Sequence, residues 1–230
     1  MTTLTHPTTT DSVADATGRR SRWPLTGALA GLAGVVATLA LDGRSGPVEG
    51  VTVSDQLFLD LDPMTYRLSM VAGYTAVVLL LVFAAQWRRR VERRVPGSTA
   101  AHLVPLGLVA SAAGLTYGYG WKGALGNYIP GGGEEGYYDS AGLYVYYLLN
   151  DFGSFIGWLG VVVAAGAVAW MGLRERTVSR WIGAVSVVPV ALTALMVGVL
   201  GVAGIPGLWG PAWLVVAGLG LAFGRSTITR

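Results

Sequence analysis

The chain contains no cysteine, and this absence excludes several kinds of chemistry. Disulfide bonds, thiolate zinc sites, iron–sulfur clusters and thiol nucleophiles all need a residue that the sequence lacks. Histidine is almost as scarce, since His6 and His102 are the only two. If His102 opens a membrane helix, ~18 residues at 1.5 Å each place it ~27 Å from the acidic segment at the far end. A histidine triad, a two-histidine haem site and a mixed histidine–carboxylate metal site are therefore not expected, and the sequence implies no cofactor and no metal.

Charged residues are also few, at 13% of the chain. The segment "GGGEEG" at 131–136 is not followed by the Gly-Lys-Ser or Gly-Lys-Thr of a phosphate loop, and Gly-x-Ser-x-Gly is absent. What is present is apolar: 53% of the residues are hydrophobic, and the mean hydropathy is +0.54. This composition is typical of an integral membrane protein.

The apolar residues form runs of the length that a bilayer requires, ~20 residues for ~30 Å of hydrocarbon. The sequence predicts an all-α, polytopic transmembrane helix bundle with six spans, at 24–41, 68–87, 101–119, 152–173, 181–204 and 209–223. Residues 1–22, rich in Thr, Asp and Ser, are predicted to be a disordered cytoplasmic tail. The transmembrane domain then covers 23–225, and a short cytoplasmic tail covers 226–230.

The positions of the basic residues predict the orientation of the bundle. If both termini are cytoplasmic, thirteen of the sixteen basic residues lie on the cytoplasmic side, as the positive-inside rule requires. Trp23, Trp87, Trp170 and Trp181 then mark cytoplasmic ends of spans and Trp121 and Trp209 mark outer ends, which suits interface anchors. The arginine-rich segment 88–94 is explained as a topogenic loop, so nucleic acid is not an expected partner. We expect a multi-pass protein of the bacterial inner membrane.

Glycine pairs at four-residue spacing suggest where helices approach closely. They are Gly27 with Gly31, Gly114 with Gly118, Gly153 with Gly157, and Gly220 with Gly224. Such pairs put two glycines on one face of a helix and favour a compact bundle. No internal duplication is apparent.

Polar groups concentrate in the stretch "NYIPGGGEEGYYDSAGLYVYYLLND" at 127–151. Pro130 and the following glycines interrupt regular structure, and Asp139 or Ser140 is predicted to cap a helix beginning near Ala141. The fourth predicted helix would then start well above the membrane, on the outer side. Together with the outer loop at 42–67, this stretch predicts an acidic, aromatic cap.

Four interpretations of this cap are open. Carboxylates would serve as acid and base if burial separated their pKa values, the candidates being Glu134, Glu135, Asp139 and Asp151. Carboxylates joined by Asp60 or Asp62 would instead hold a divalent cation. Aromatic and polar side chains would alternatively line a groove for a lipid headgroup or an apolar substrate, the candidates being Tyr117, Tyr119, Lys122, Asn127, Tyr144, Tyr147 and Trp158. The fourth interpretation is an exposed loop with an interfacial belt of tyrosines.

The predicted spans carry essentially no ionisable residue between their ends, which argues against a proton relay, a voltage sensor or a charged ion pathway. The leading hypothesis is a non-enzymatic integral membrane protein that contacts lipid or protein partners through its outer loops. One alternative is a membrane-embedded enzyme acting on a lipid-like or isoprenoid substrate through the outer carboxylates. The other is a transporter of a small solute.

The six-span plan, the loop "RRRVERR" and the Ala/Gly/Val-rich helices resemble uncharacterised integral membrane proteins of actinobacteria. This resemblance extends over most of the chain and includes no diagnostic motif. It implies no activity and assigns no role to any residue.

Overall fold

The structure is a computed structural model, and it describes residues 22–42 and 55–229. The side chains of Asp55, Gln56 and Asp151 lie outside that description. Residues 1–21 of the predicted N-terminal tail and residues 43–54 of the first outer loop also fall outside it. The described part of the chain is all-helical and contains no strand.

Eight α-helices follow one another along the described chain. Their bounds are α1 Leu25–Val35, α2 Asp55–Leu59, α3 Pro63–Trp87, α4 Thr99–Tyr128, α5 Ser140–Ile156, α6 Leu159–Trp170, α7 Arg180–Leu200 and α8 Ile205–Phe223. A π-helical turn extends three of them, at Val36–Ala40 after α1, Arg88–Glu92 after α3 and Met171–Glu175 after α6. A 3-10 turn at Thr227–Thr229 follows α8.

Five of the described helical segments are long and apolar enough to cross a membrane. They are Pro63–Glu92, Thr99–Tyr128, Ser140–Glu175, Arg180–Leu200 and Ile205–Phe223. The first predicted span is a shorter apolar helix, Leu25–Ala40, whose sixteen residues rise only ~24 Å. The prediction of an all-helical protein with several membrane-spanning helices is therefore confirmed, at five candidate spans.

Two predicted spans differ from the helices found. The sequence predicts an end of the third span at Tyr119, but α4 continues to Tyr128. The glycines of this extension, Gly120, Gly123 and Gly126, are accommodated by close packing against side chains of α3. The fourth span consists of α5 and α6, separated at Gly157 and Trp158. There the hydroxyl of Ser111 on α4 accepts a hydrogen bond of 2.8 Å from the backbone N–H of Val161, which satisfies a donor in the first turn of α6.

Polar side chains begin three of the helices, as N-caps do. Asp62 accepts hydrogen bonds from the N–H groups of Met64 and Thr65 at the start of α3. Ser98 accepts one from Ala101 at the start of α4. Asp139 accepts one of 2.9 Å from Gly142 at the start of α5, which confirms the predicted cap and start of this helix.

Glycines allow the helices to approach closely, as the sequence predicted. The glycine pairs of α4 and α5 face each other: a Cβ at Gly118 would lie 2.5 Å from the carbonyl carbon of Gly153, and one at Gly114 would lie 3.3 Å from Cα of Gly157. Gly31 on α1 meets the backbone of α8 in the same way, with a built Cβ 2.6 Å from the Pro211 carbonyl oxygen. These contacts hold α4 against α5 and α1 against α8.

One end of the bundle is basic, and we call it the basic end. Contacts there join the loops after α3 and α6 to the segment after α8: Arg94 donates to the Ile228 carbonyl at 2.9 Å, and Ser98 donates to Glu175 at 2.7 Å. Trp23 and Trp87 also lie at this end, but their rings are buried against Phe83 rather than exposed to lipid. Trp170 and Trp181, in contrast, are about half exposed.

The opposite end is acidic and aromatic, and we call it the acidic end. It carries α2, the start of α3, the end of α4 and the start of α5. A small separate core of Phe58, Leu61, Tyr66, Leu125, Ile129 and Leu143 joins these four elements. This core fixes the position of the segment between α4 and α5, which carries Glu134, Glu135 and Asp139.

Candidate functional site

The predicted acid and base residues lie on the surface of the acidic end. Glu134, Glu135 and Asp139 are all exposed. Glu135 accepts a hydrogen bond of 2.9 Å from the N–H of Gly131, and Asp139 caps α5. Each of these two carboxylates thus uses one oxygen to hold a turn. The backbone of Asp151 lies in α5, while its side chain is outside the described part of the structure.

Asp60 and Asp62 are exposed as well. Hydrogen bonds from the Thr65 hydroxyl and from the backbone N–H groups of Met64 and Thr65 lower the pKa of the Asp62 carboxyl. These bonds favour the charged form of the carboxylate. Since two of them come from backbone N–H groups in the first turn of α3, Asp62 acts as the cap of that helix. Among the side chains that the structure describes, which do not include those of Asp55 and Asp151, no three from His, Asp or Glu come together as a metal site.

Three of the predicted binding residues are buried inside the bundle instead of lining the outer surface. Tyr119, Lys122 and Trp158 are each fully buried. Thr38, in the π-helical turn after α1, joins two of them: its hydroxyl lies 2.7 Å from the Tyr119 hydroxyl and accepts a hydrogen bond of 3.1 Å from the Trp158 indole. These side chains form a buried polar core that links α1, α4 and the start of α6.

Lys122 is the single lysine of the chain, and it belongs to the same core. Its ammonium donates to the Ala37 carbonyl at 3.3 Å and lies 3.5 Å from a carboxylate oxygen of Asp42, whose side chain is 16% exposed. The Ala37 carbonyl also accepts a hydrogen bond of 2.7 Å from Ser69 on α3. The end of a helix carries partial negative charge and orphan carbonyls, so Lys122 and Ser69 supply the donors that the short first helix needs.

Sequence reasoning placed Lys122 outside the third span and did not find this polar core. The missing elements were Thr38 and Ser69, since isolated Thr and Ser residues in apolar runs give no signal by themselves. One feature of the sequence did point to this polar core: the single lysine, Lys122, follows Tyr119 in the same apolar stretch. An ionisable residue within a membrane helix usually has a partner, and Asp42 follows the short apolar helix Leu25–Ala40.

The remaining predicted residues lie at the surface of the acidic end. Tyr117 is 68% exposed, and Tyr144 and Tyr147 are partly buried with stacked rings 6.3 Å apart. The carbonyl of Asn127 accepts a hydrogen bond of 2.9 Å from the backbone N–H of Glu134, which closes the loop after α4.

A groove runs along the side of the bundle, between α4 on one side and α5 with α6 on the other. Its volume is about 840 Å³, within the range of small-molecule sites. The floor consists of the facing glycines Gly114, Gly153, Gly157 and Gly160, and the walls are apolar. We call this feature the lateral groove.

The two ends of the lateral groove differ. Tyr117 and Trp121 line the end that points to the acidic end of the bundle, with ring centroids 6.2 Å apart. Ala110 and Val163 line the other end. Ala110 and Trp121 are eleven residues apart on one helix, so the groove is ~16 Å long, about half of the ~30 Å hydrocarbon core of a bilayer.

Four tyrosines form a cluster above the aromatic end of the groove. Tyr128 contacts Tyr138 edge to face at 4.8 Å and Tyr146 at 5.4 Å, while Tyr137 lies 5.8 Å from Tyr138. Tyr128 and Trp121 are seven residues apart, so they share one face of α4 and are separated by ~10 Å along it. We call Tyr128, Tyr137, Tyr138 and Tyr146 the tyrosine cluster.

A cleft of about 410 Å³ lies beside the tyrosine cluster. Tyr128 and Tyr138 line it together with Glu135, Asp139 and the apolar side chain of Leu143. The cleft therefore brings two aromatic faces and two carboxylates together.

No family model, curated protein or solved structure matches this chain. The class of protein follows from the fold: an all-helical membrane protein with several helices apolar enough to span a bilayer. Its function has to be argued from the buried polar core, the lateral groove and the surface of the acidic end.

Proposed function

We propose that this chain is a six-span, non-enzymatic protein of the bacterial inner membrane that holds a lipid of the outer leaflet in the lateral groove. Both termini are cytoplasmic, and the acidic end faces outward. The observation that carries this proposal is the lateral groove, which is apolar, has a volume of about 840 Å³ and has aromatic side chains at one end only.

The charge distribution supports the orientation. Arginines concentrate at the basic end, where the loops after α3 and α6 contact each other and the chain after α8. Cytoplasmic loops of membrane proteins carry such an excess of basic residues. If the chain crosses the membrane six times with both termini in the cytoplasm, the loops after α3 and α6 and the chain after α8 all lie on the cytoplasmic side.

The length of the groove favours a lipid chain over a helix of a second copy. The groove extends ~16 Å from Trp121 to Ala110, which matches one leaflet of a ~30 Å hydrocarbon core. A helix of a second copy would cross both leaflets and would need a contact along the whole of α4. Tyr117 and Trp121 then lie at the headgroup level, where aromatic side chains are preferred.

A second, smaller groove supports a lipid with two chains. It has a volume of about 410 Å³ and lies against α7 and the start of α8, with Ala194 and Gly198 in its wall. Ile156 and Leu159 line both grooves, so they form a ridge between them. One chain of a two-chain lipid fits on each side of this ridge.

The proposal predicts that Ala110→Phe displaces the lipid chain. Ala110 is exposed at the deep end of the groove, so a phenylalanine there fills the groove without disturbing the core. Binding is measured as quenching of Trp121 by lipid with brominated chains, added in trace amount to detergent micelles. The other exposed tryptophans, Trp170, Trp181 and Trp209, are replaced by phenylalanine for this measurement.

The expected result is quenching above the level given by the mole fraction of brominated lipid, and its return to that level in Ala110→Phe. Ala191→Phe is the matched control, because Ala191 is exposed, lies eleven residues into α7 as Ala110 does into α4, and lines neither groove. Equal quenching in the parent protein, Ala110→Phe and Ala191→Phe would contradict a lipid site in the lateral groove.

A further inference from the structure

We infer that the lipid held in the lateral groove carries an ammonium headgroup, which the tyrosine cluster and the carboxylates beside it bind. This inference rests on the proposed function and names the chemical class of its ligand. The site is the cleft lined by Tyr128, Tyr138, Glu135 and Asp139.

The cleft lies at the right height above the groove. Tyr128 and Trp121 share a face of α4 and are ~10 Å apart along its axis. The headgroup layer of a bilayer is ~5–8 Å thick on each side of the hydrocarbon. If Trp121 lies at the inner edge of this layer, a headgroup that extends outward from there ends ~2–5 Å below the height of Tyr128.

The ring arrangement suits a positive charge. Tyr128 and Tyr138 meet edge to face, with centroids 4.8 Å apart, and Tyr146 lies 5.4 Å from the first and 5.5 Å from the second. Of these three tyrosines, Tyr128 and Tyr138 line the cleft. The quadrupole of an aromatic ring attracts a cation to its face, and quaternary ammonium groups are bound in this way. Tyr138 is 39% exposed, so the cluster is open to a ligand.

The carboxylates add charge of the opposite sign to an ammonium. Glu135 uses Oε2 to accept from Gly131, and Asp139 uses Oδ1 to accept from Gly142. Their second oxygens, Oε1 and Oδ2, have no partner in any described contact. Both residues also line the cleft, so they lower the electrostatic energy of a cation there and raise that of an anion.

The test compares three brominated lipids with identical chains. Phosphatidylcholine has a zwitterionic headgroup that ends in a quaternary ammonium, phosphatidylglycerol has the same phosphodiester without the ammonium, and diacylglycerol ends in an uncharged hydroxyl. Binding is followed by the quenching of Trp121 in detergent micelles. We expect phosphatidylcholine to bind about fivefold or more tightly than diacylglycerol, and diacylglycerol to bind more tightly than phosphatidylglycerol. If phosphatidylcholine and diacylglycerol bind equally, the cleft repels anionic headgroups but does not attract an ammonium. That result would overturn the inference.

Variants of the cleft test its charges and its aromatic rings while keeping the contacts that hold the fold. Glu135→Gln with Asp139→Asn removes both charges and keeps both hydrogen-bond acceptors, since Asn also caps helices. Tyr138→Leu removes one ring face. Each should abolish the preference for phosphatidylcholine and leave diacylglycerol binding unchanged, whereas Asp60→Asn, at an exposed carboxylate of the acidic end outside the cleft, should preserve the preference.

The outcomes also separate this inference from the proposed function. If all three lipids bind equally and Ala110→Phe displaces each of them, the groove is a lipid site and the ammonium inference is wrong. If Ala110→Phe has no effect with any lipid, the groove proposal itself fails. Binding of soluble choline in a calorimetric titration, with no headgroup preference among the lipids, would assign the cleft to a free ammonium compound and would overturn its link to the groove.

Discussion

At the scale of single residues, the polar side chains of this chain divide into two sets with different roles. Thr38, Tyr119, Lys122 and Trp158 are buried and connect helices. Glu134, Glu135 and Asp139 are exposed, and the carboxylates of the last two each hold a turn. Acid–base catalysis needs carboxylates whose environments push their pKa values apart. Exposed carboxylates that hold turns support a binding surface better than a catalytic centre.

The contact between Lys122 and Asp42 predicts an asymmetric effect of substitution. Lys122→Met removes the fully buried charge and leaves the Asp42 carboxylate, which is 16% exposed and therefore keeps some contact with solvent. The variant should cost about 1 kcal/mol in unfolding free energy through the lost hydrogen bond to Ala37. Asp42→Asn leaves a fully buried ammonium without the carboxylate that contacts it, and should cost about 3 kcal/mol. Unfolding by dodecyl sulfate in mixed micelles, followed by tryptophan fluorescence, measures both values.

The double variant is the decisive control for this pair. Because Lys122→Met removes the charge that Asp42 compensates, the double variant should be more stable than Asp42→Asn alone. If Asp42→Asn proves harmless while Lys122→Met is severely destabilising, the ion pair does not stabilise the polar core in the way described.

At the scale of the helices, the packing of α4 against α5 decides where the lateral groove lies. Gly118 and Gly153 bring the two backbones together, and Gly114, Gly157 and Gly160 line the groove along the same seam. The tyrosine cluster then closes the same seam above Trp121. One helix pair therefore positions both the groove and the cleft.

Substitution of the glycines by alanine should follow the space available at each position. At Gly118 an added Cβ would lie 2.5–2.7 Å from backbone atoms of Gly153 and Ser154, so Gly118→Ala should cost about 1–3 kcal/mol by overpacking. Gly114→Ala, with its nearest atom at 3.3 Å, should be tolerated far better. Gly198→Ala meets nothing within 4 Å and should raise stability by up to about 1 kcal/mol through helix propensity. The same unfolding assay ranks the three variants. If Gly118→Ala proves as stable as Gly114→Ala, the close approach of α4 and α5 at Gly118 is not supported.

The sequence predicted these helices and their close contacts better than it predicted the site. Spacing alone paired Gly114 with Gly118 and Gly153 with Gly157, because four residues return a helix to the same face. It also predicted a cap at Asp139 or Ser140, of which the structure has Asp139, because such a cap depends on neighbouring residues only. The burial of Tyr119, Lys122 and Trp158 depends on Thr38, 81 residues before Tyr119 and 120 before Trp158, and spacing within one helix carries no information about such a contact.

At the scale of the whole molecule, the two ends of the bundle differ in charge and in aromatic content. Arginines and contacts between loops characterise the basic end, while carboxylates and tyrosines characterise the acidic end. A lipid site in the outer leaflet and an ammonium site above it both require the acidic end to face outward. The proposed function therefore depends on the orientation of the bundle in the membrane, which we call its sidedness.

Cysteine labelling measures this sidedness directly, because the chain has no cysteine of its own. Gly97→Cys, at the basic end, meets no atom within 4 Å, and Gly133→Cys, at the acidic end, approaches only the tip of the Arg67 side chain at 3.3 Å. Both positions are exposed. With a membrane-impermeant maleimide on intact spheroplasts, we predict labelling of Gly133→Cys at once and of Gly97→Cys only after the membrane is permeabilised. Labelling of Gly97→Cys from outside, with Gly133→Cys protected, would contradict the orientation and with it the outer-leaflet lipid site.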